Sequence, residues 1–196
     1  MTRLDEALMR AANLLDELGK NYALVGGIAV SVLASPRGTG DVDLAVAVAE
    51  DGEAETVVRS FASAGYEIAS LLEQDETKRL AGVRVRDTTS GVDVDLLFAM
   101  SGVEPEVADT AQPVEVLPGV TLPLATVGSL IVMKLLARDD RHRPMDADDL
   151  ISLSELATDG DWTEANRLAE LVTARNAHRG RDLRASLSHL QAHGPF

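Results

Sequence analysis

Residues 25–46 read VGGIAVSVLASPRGTGDVDLAV, and the other predictions are built around this stretch. A short apolar strand leads into Gly26 and Gly27, a short helix and a polar turn follow, and a second strand begins with Asp41 and Asp43. Alternate residues of a strand point to the same face, so these two carboxylates project together and repel each other unless a divalent cation or a basic side chain lies between them. Glycines at a strand-to-helix turn expose N–H groups that suit a phosphate. The stretch therefore predicts a site for a metal and a phosphate.

The composition restricts the class of protein. A chain of 196 residues, 45% of them hydrophobic and only 3% aromatic, fits one domain with an aliphatic core. The absence of cysteine excludes disulfides, zinc–thiolate sites and thiol catalysis. No apolar run is long enough to span a bilayer, and the first residues lack the apolar region of a signal peptide. We therefore expect no membrane contact and a cytoplasmic location.

The charge is unevenly distributed along the chain. A net charge of −14 argues against a protein that coats nucleic acid. The excess of acidic residues lies in residues 1–123, whereas basic residues cluster at 134–143 and 175–184. These two clusters are the predicted contacts for RNA, if RNA is a substrate. A solvated helix face explains them equally well.

The spacing of apolar residues predicts strands and helices up to residue 123 and helices thereafter. Helices are predicted at 3–18 and 51–64, and residues 80–98 read as a β-hairpin with a TTSG turn. Thr126 is placed to cap a helix at 127–137, and the last predicted helices cover 145–157, 162–176 and 181–193. Asp161 and Glu164 have the spacing of a capping box.

These elements predict an α+β fold, with a mixed sheet flanked by helices and a helical C-terminal section. Residues 1–123 form the predicted core and residues 124–196 the helical section, within one compact unit.

Asp95 is the preferred candidate for a third carboxylate. It lies in the apolar run VDLLF, where a carboxylate is costly to bury unless it is ligated or paired. Asp93 lies on the same predicted face and is the alternative. An edge strand with two solvated acids is the simpler explanation of both residues.

Three further positions are candidates for binding a nucleotide. Lys134 interrupts the apolar helix LIVMKLL, so its ammonium either reaches solvent or points into a site. Arg37 either contacts a phosphate or is exposed. Asp146 begins the sequence DADDL, where an acid also stabilises the helix dipole, and Asp149 lies one turn further along the same face.

The motifs together resemble those of a known family. The stretch from Gly26 to Asp43 is similar to the signature of the DNA polymerase β-like nucleotidyltransferases. R-x-T-x-D-x-D at 37–43, K-x-x-A-x-x-x-R at 134–141 and D-x-x-D-L at 146–150 resemble the AbiEii toxins of type IV toxin–antitoxin systems, and among these the MenT-type toxins. The motifs span residues 25–150, and the final helices add nothing to the match.

The resemblance implies a polymerase β-like fold, Mg²⁺, and a nucleoside triphosphate (NTP) whose pyrimidine nucleotide is added to the 3′ end of tRNA, which blocks aminoacylation. By position it assigns Asp41 and Asp43 to the metal and Gly26 and Gly27 to the phosphates. Asp95 is our candidate to complete the metal site or to activate the 3′-hydroxyl.

The resemblance also makes Lys134 and Asp146 the motif lysine and aspartate, with Asp146 expected to orient Lys134 or a basic side chain. Thr39, otherwise an ordinary turn residue, falls at the hydroxyl that cognate antitoxins of this group phosphorylate. A cognate antitoxin, acting as a kinase or by binding, is the implied partner. Met145 stands where the family has a basic residue before D-x-x-D-L, which leaves the role of Arg143 open.

Two other functions fit the same residues. A nucleotidyltransferase acting on a small molecule such as an antibiotic would use the same metal site with a different acceptor. A degenerate nucleotidyltransferase fold would serve as a binding module, although the presence of Asp41, Asp43, Lys134 and Asp146 argues against decay.

Overall fold

The computed structural model describes residues 1–34, 38–73, 79–139 and 145–194. Seven strands form one sheet: β1 Tyr22–Val25, β2 Asp41–Val46, β3 Tyr66–Glu73, β4 Leu80–Asp87, β5 Asp93–Leu97, β6 Gln112–Leu117 and β7 Val120–Leu124. The helices of the first two thirds are α1 Arg3–Glu17, α2 Gly26–Leu33, α3 Asp51–Ser63 and α4 Glu104–Thr110. Those that follow the last strand are α5 Val127–Ala137, α6 Met145–Leu156, α7 Asp159–Ala174 and α8 Leu183–His193.

The sheet is mixed, with the strand order β3-β4-β5-β2-β1-β7-β6. The central pair β2 and β5 is parallel, as is the pair β1 and β7, and the other neighbours are antiparallel. Along β2 and β5, Val42, Leu44, Val94 and Leu96 are fully buried and alternate with the aspartates. One face of these strands therefore belongs to the core, and the other presents the carboxylates.

The last three helices pack around α5, which is apolar on nearly all sides. It contacts α6, α7 and α8, and α2 connects it to the sheet. Ile131, Val132 and Leu135 of α5 are buried in the same core as Leu150 of α6 and Leu168 of α7. This arrangement explains why α5 is apolar along most of its length, with Lys134 as its only charged residue, because a helix buried on nearly every side has no polar face. The division at residue 123 stays a prediction.

The predicted α+β fold with a mixed sheet is confirmed. The helix α4 was not predicted, because Pro105 and a short acidic run give little helical periodicity. The predicted capping box of Asp161 and Glu164 is wrong. Thr158 caps α7, with Asp161 as its reciprocal partner, and Glu164 accepts a hydrogen bond from Thr126 at the start of α5. No helix in the described ranges is long and apolar enough to cross a membrane.

Candidate active site

The carboxylates are brought together by the parallel pairing of β2 and β5. Asp41 lies opposite Asp93, and Asp43, two residues further along, lies opposite Asp95. Because the register is fixed by the backbone ladder and by the buried valines and leucines, all four carboxylates project from the same face.

Asp41, Asp43 and Asp95 form a cluster that is able to bind a metal. One carboxylate oxygen from each lies within 4.8 Å of the others, and all three residues are half-buried. The cluster lines a cavity of about 490 Å³ whose walls also include Gly26, Lys134 and Arg179. Three carboxylate oxygens at an open cavity form the hard donor set that Mg²⁺ prefers, and the remaining coordination positions face solvent. The residues therefore fit the metal that the sequence predicts.

Arg84 on β4 is bound to this cluster. Its Nε and Nη2 donate to the two oxygens of Asp95 at 2.7 and 2.6 Å, and Nη2 also lies 3.5 Å from Asp41 Oδ2. The hydrogen bonds to Asp95 raise the pKa of Arg84 further above its ordinary value. A forked contact of this kind is the strongest that a guanidinium makes with one carboxylate.

Asp93 has a different partner. Arg86 donates to its two oxygens at 2.8 and 3.0 Å, in a second forked pair further along β4 and β5. Of the two carboxylates that the sequence left open as the third member, the geometry thus groups Asp95 with Asp41 and Asp43.

The side chain of Asp43 fits beside Gly26 only because glycine has no Cβ. The φ of Gly26 is +67°, and a Cβ on this residue would lie 1.9 Å from Asp43 Oδ2 and 2.5 Å from its Cγ. α2 begins at Gly26 itself, so the first N–H groups of the helix lie beside the carboxylate cluster. Gly27 is buried in the first turn of α2, where its carbonyl accepts a hydrogen bond from Ser31.

We expect Gly26→Ala to displace Asp43 and to lower the free energy of unfolding by about 1–3 kcal/mol, because it adds a steric clash to a strained φ. Urea unfolding followed by circular dichroism measures the loss. Gly19→Ala is the matched control, since Gly19 has a φ of +63° but a Cβ on it would meet nothing within 4 Å. An equal loss in both variants would show that the clash with Asp43 is unimportant.

Lys134 is buried with two carboxylates. Its Nζ lies 2.9 Å from Asp146 Oδ1 and 2.6 Å from Asp149 Oδ2, and only 7% of its side chain is exposed. Asp146 thus contacts and orients Lys134, while Asp149 is a second anchor. The group joins α5 to α6. A direct contact between Lys134 and a nucleotide stays a prediction.

Thr39 and Arg37 precede the cluster. The Thr39 hydroxyl donates to Asp41 Oδ1 at 3.0 Å, so a group attached to that oxygen would meet the predicted metal ligand directly. Arg37, the predicted phosphate contact, lies outside the described residues, and so do Arg141 and Arg143.

The loop between α7 and α8 is rich in arginine and brings Arg179 to the wall of the cavity. Arg175 binds Glu106 and the carbonyl of Gly102, Arg179 donates to the carbonyl of Met100 at 2.6 Å, and Arg181 donates to the carbonyl of Arg138. Arg179 has a φ of +53°, which is strained for a residue with a side chain, and it lines the cavity. A neutral carbonyl does not cancel the charge of the guanidinium that binds it, so this loop adds positive charge beside an acidic cluster.

The whole chain was compared with known proteins. The sequence model of a family described as the nucleotidyl transferase AbiEii toxin of type IV toxin–antitoxin systems matches residues 7–193. The chain belongs to the AbiEii family. Membership of this family of toxins implies an NTP substrate and an antitoxin partner. No match was found among curated proteins.

Solved structures agree with the AbiEii assignment at the level of the fold. An antigenic nucleotidyltransferase-like protein from Paracoccidioides brasiliensis superposes with a TM-score of 0.51 at 21% identity, over 95% of this chain and 92% of that one. The antibiotic-resistance factor ANT(2″)-Ia superposes with a TM-score of 0.51 at 18% identity, over 98% of this chain and 100% of that one. The nucleotidyltransferase fold of this AbiEii chain is thereby confirmed.

Two arginines of the site were not predicted. Arg84 and Arg86 alternate in LAGVRVRD just as Asp93 and Asp95 alternate in VDVDLL, on the two sides of one short turn. An antiparallel register counted outward from that turn pairs them. The signal was therefore present in the sequence. Arg179 belongs to the basic cluster at 175–184 that the sequence predicts as a contact for RNA, but its place on the cavity wall depends on how α7 and α8 pack.

Proposed function

We propose that this chain transfers a nucleotide, with a pyrimidine preferred, from an NTP to the 3′ end of tRNA, and so blocks aminoacylation and translation. The observation that carries the proposal is the cluster of Asp41, Asp43 and Asp95 at the wall of the cavity in an AbiEii-family chain. In this reaction the 3′-oxygen of the RNA forms a bond to the α-phosphorus and pyrophosphate leaves.

The residues divide this task between them. Asp41, Asp43 and Asp95 hold Mg²⁺, which supplies charge stabilisation to the reacting phosphate when it is bound. Asp95 also accepts the proton of the 3′-hydroxyl. Gly26 and Gly27 present the start of α2 to the phosphates. Lys134, fixed by Asp146 and Asp149, forms the wall against which the triphosphate lies, and Arg37 is the proposed second phosphate contact.

Incubation with Mg²⁺, each labelled NTP in turn and total tRNA tests the proposal. We expect label in tRNA, most of it from CTP or UTP. tRNA whose terminal ribose has been oxidised with periodate before the incubation should take up no label. Transfer of label to a purified aminoglycoside while tRNA stays unlabelled would instead support the small-molecule enzyme. Failure to bind Mg²⁺ and NTP by calorimetry would support the non-catalytic module.

The acceptor is proposed to be RNA because of the loop that carries Arg179. A polyanion with a phosphate next to its reacting end requires positive charge beside the cavity, and the rest of this acidic chain opposes its approach. Arg179 lies on the cavity wall and donates to a neutral carbonyl, so it is placed to contact the last phosphates of the acceptor strand.

Arg179→Gln is therefore expected to raise the KM for tRNA by about tenfold, with little change in the affinity for NTP, and to reduce the salt dependence of KM. Steady-state labelling at two salt concentrations measures both effects. Arg184→Gln is the control, because Arg184 is paired with Glu170 and lies on α8. Equal changes in the two variants would contradict a specific role for Arg179.

We also propose that the antitoxin silences the enzyme by phosphorylating Thr39. A phosphate there adds about two negative charges next to Asp41, which repel the triphosphate and draw the metal out of its site. Thr39→Glu is expected to reduce labelling of tRNA at least about tenfold, whereas Thr39→Ala loses one hydrogen bond and stays within about threefold of wild type. Mass spectrometry after co-expression with the product of the neighbouring gene locates the phosphate. Modification at another site, or none, would contradict the proposal.

A further inference from the structure

The guanidinium of Arg84 lies at the place where a cation is needed. Its forked contact covers both oxygens of Asp95, and the same Nη2 that binds Asp95 approaches Asp41. Asp41 and Asp95 are two of the three carboxylates that are able to bind a metal. Arg84 therefore compensates the repulsion between these carboxylates in the metal-free protein.

Arg84 and a divalent cation exclude each other at these oxygens. A guanidinium is permanently charged, so it cannot give up its charge when the metal arrives. Two cations on the same carboxylates repel one another strongly at such short distances. The side chain of Arg84 is 41% exposed and lines the open cavity, so it has room to turn away without disturbing the core.

We propose that Arg84 is a resident counter-ion that the metal displaces from Asp95 and Asp41, and that the released guanidinium then binds the phosphates of the nucleotide. This inference rests on the metal site of the proposed function. Arg84 holds no nucleotide while Asp95 neutralises it. The metal and the nucleotide therefore bind cooperatively. Binding of the metal separates Arg84 from Asp95, and the freed Arg84 then binds the nucleotide.

The first test is a titration of the apoprotein with Mn²⁺ alone, followed by the paramagnetic resonance signal of the free ion. Removing the competing charge in Arg84→Gln is expected to tighten Mn²⁺ binding by about tenfold. Arg84→Lys keeps the charge and is expected to bind Mn²⁺ within about threefold of wild type. Arg86→Gln is the matched control, because Arg86 makes the same forked contact with Asp93 outside the cluster.

Binding of Mn²⁺ to Arg84→Gln with wild-type or weaker affinity would overturn the proposal, and so would an equal gain in Arg86→Gln. If neither wild type nor Arg84→Gln binds Mn²⁺, the metal site itself is wrong, which separates the two failures. No tRNA is present in this experiment, so its outcome does not depend on the acceptor.

The second test measures a non-hydrolysable NTP analogue at saturating Mn²⁺ by calorimetry. We expect Arg84→Gln to bind the analogue about tenfold more weakly than wild type, because a charged contact to phosphate is lost. Arg86→Gln should bind it like wild type. An unchanged affinity in Arg84→Gln would overturn the phosphate half of the proposal.

Discussion

Asp43→Asn is expected to lower the rate of nucleotide transfer at least about 1000-fold, equivalent to about 4 kcal/mol of transition-state stabilisation. The amide has the shape of the carboxylate but not its charge, so a neutral amide oxygen replaces one of the three anionic ligands proposed for the metal. Single-turnover labelling of tRNA at saturating NTP measures the rate. Circular dichroism and the Mn²⁺ titration show whether the fold remains and the metal site is lost.

Asp93→Asn is the control for this experiment. Asp93 projects from the same face of the sheet as Asp43 but is paired with Arg86 outside the cluster. A partly exposed ion pair contributes at most about 1 kcal/mol to stability. Because Asp93 also lies outside the cluster, the rate of nucleotide transfer by Asp93→Asn should stay within about fivefold of wild type. If Asp93→Asn is as damaging as Asp43→Asn, the third carboxylate has been assigned to the wrong residue.

Lys134→Met is expected to lower the free energy of unfolding by about 3–5 kcal/mol. Methionine fills nearly the same space, but Asp146 and Asp149, whose side chains are 3% and 2% exposed, are left as two buried carboxylates without their shared ammonium. The loss reflects the missing ion pairs with Lys134 rather than a cavity. Urea unfolding at neutral pH measures it.

The triple variant Lys134→Met, Asp146→Asn, Asp149→Asn separates stability from catalysis. With these three charges removed together, its stability should return to within about 2 kcal/mol of wild type. We expect this folded variant to label tRNA poorly, because Lys134 lines the cavity and is proposed to contact the triphosphate. Full activity in the triple variant would show that Lys134 serves only the joint between α5 and α6.

The carboxylate cluster was largely predictable because it depends on local periodicity. Asp41 and Asp43 occupy alternate positions of one strand, as Asp93 and Asp95 do of another, and alternation alone places each pair on one face. The sequence preferred Asp95 to Asp93 only because of its apolar neighbours. Which of the two lies beside Asp41 and Asp43 depends on the parallel register of β2 against β5, which joins residues about fifty positions apart. Buried apolar contacts set that register.

The helical elements show the same contrast. The apolar spacing of Leu130, Ile131 and Leu135 correctly predicted α5. The sequence did not show that Lys134 contacts both Asp146 and Asp149. That contact depends on the packing of two helices. The predicted start of α7 was about one turn too late. Two pairs have the spacing of a capping box, Thr158 with Asp161 and Asp161 with Glu164. The first pair caps the helix, and Glu164 instead binds Thr126 of another helix, a tertiary contact.

The parallel pairing of β2 and β5 also determines how much of the chain must be synthesised before the carboxylate cluster is complete. Asp41 and Asp43 are synthesised early, but their third partner is supplied only after α3, β3 and β4 have been made, and the cavity wall from α5 comes later still. The centre is therefore assembled from contacts of long sequence separation, which form late. A ribosome-bound fragment that stops before β5 has only two of the three carboxylates, so we expect such a fragment to be inactive.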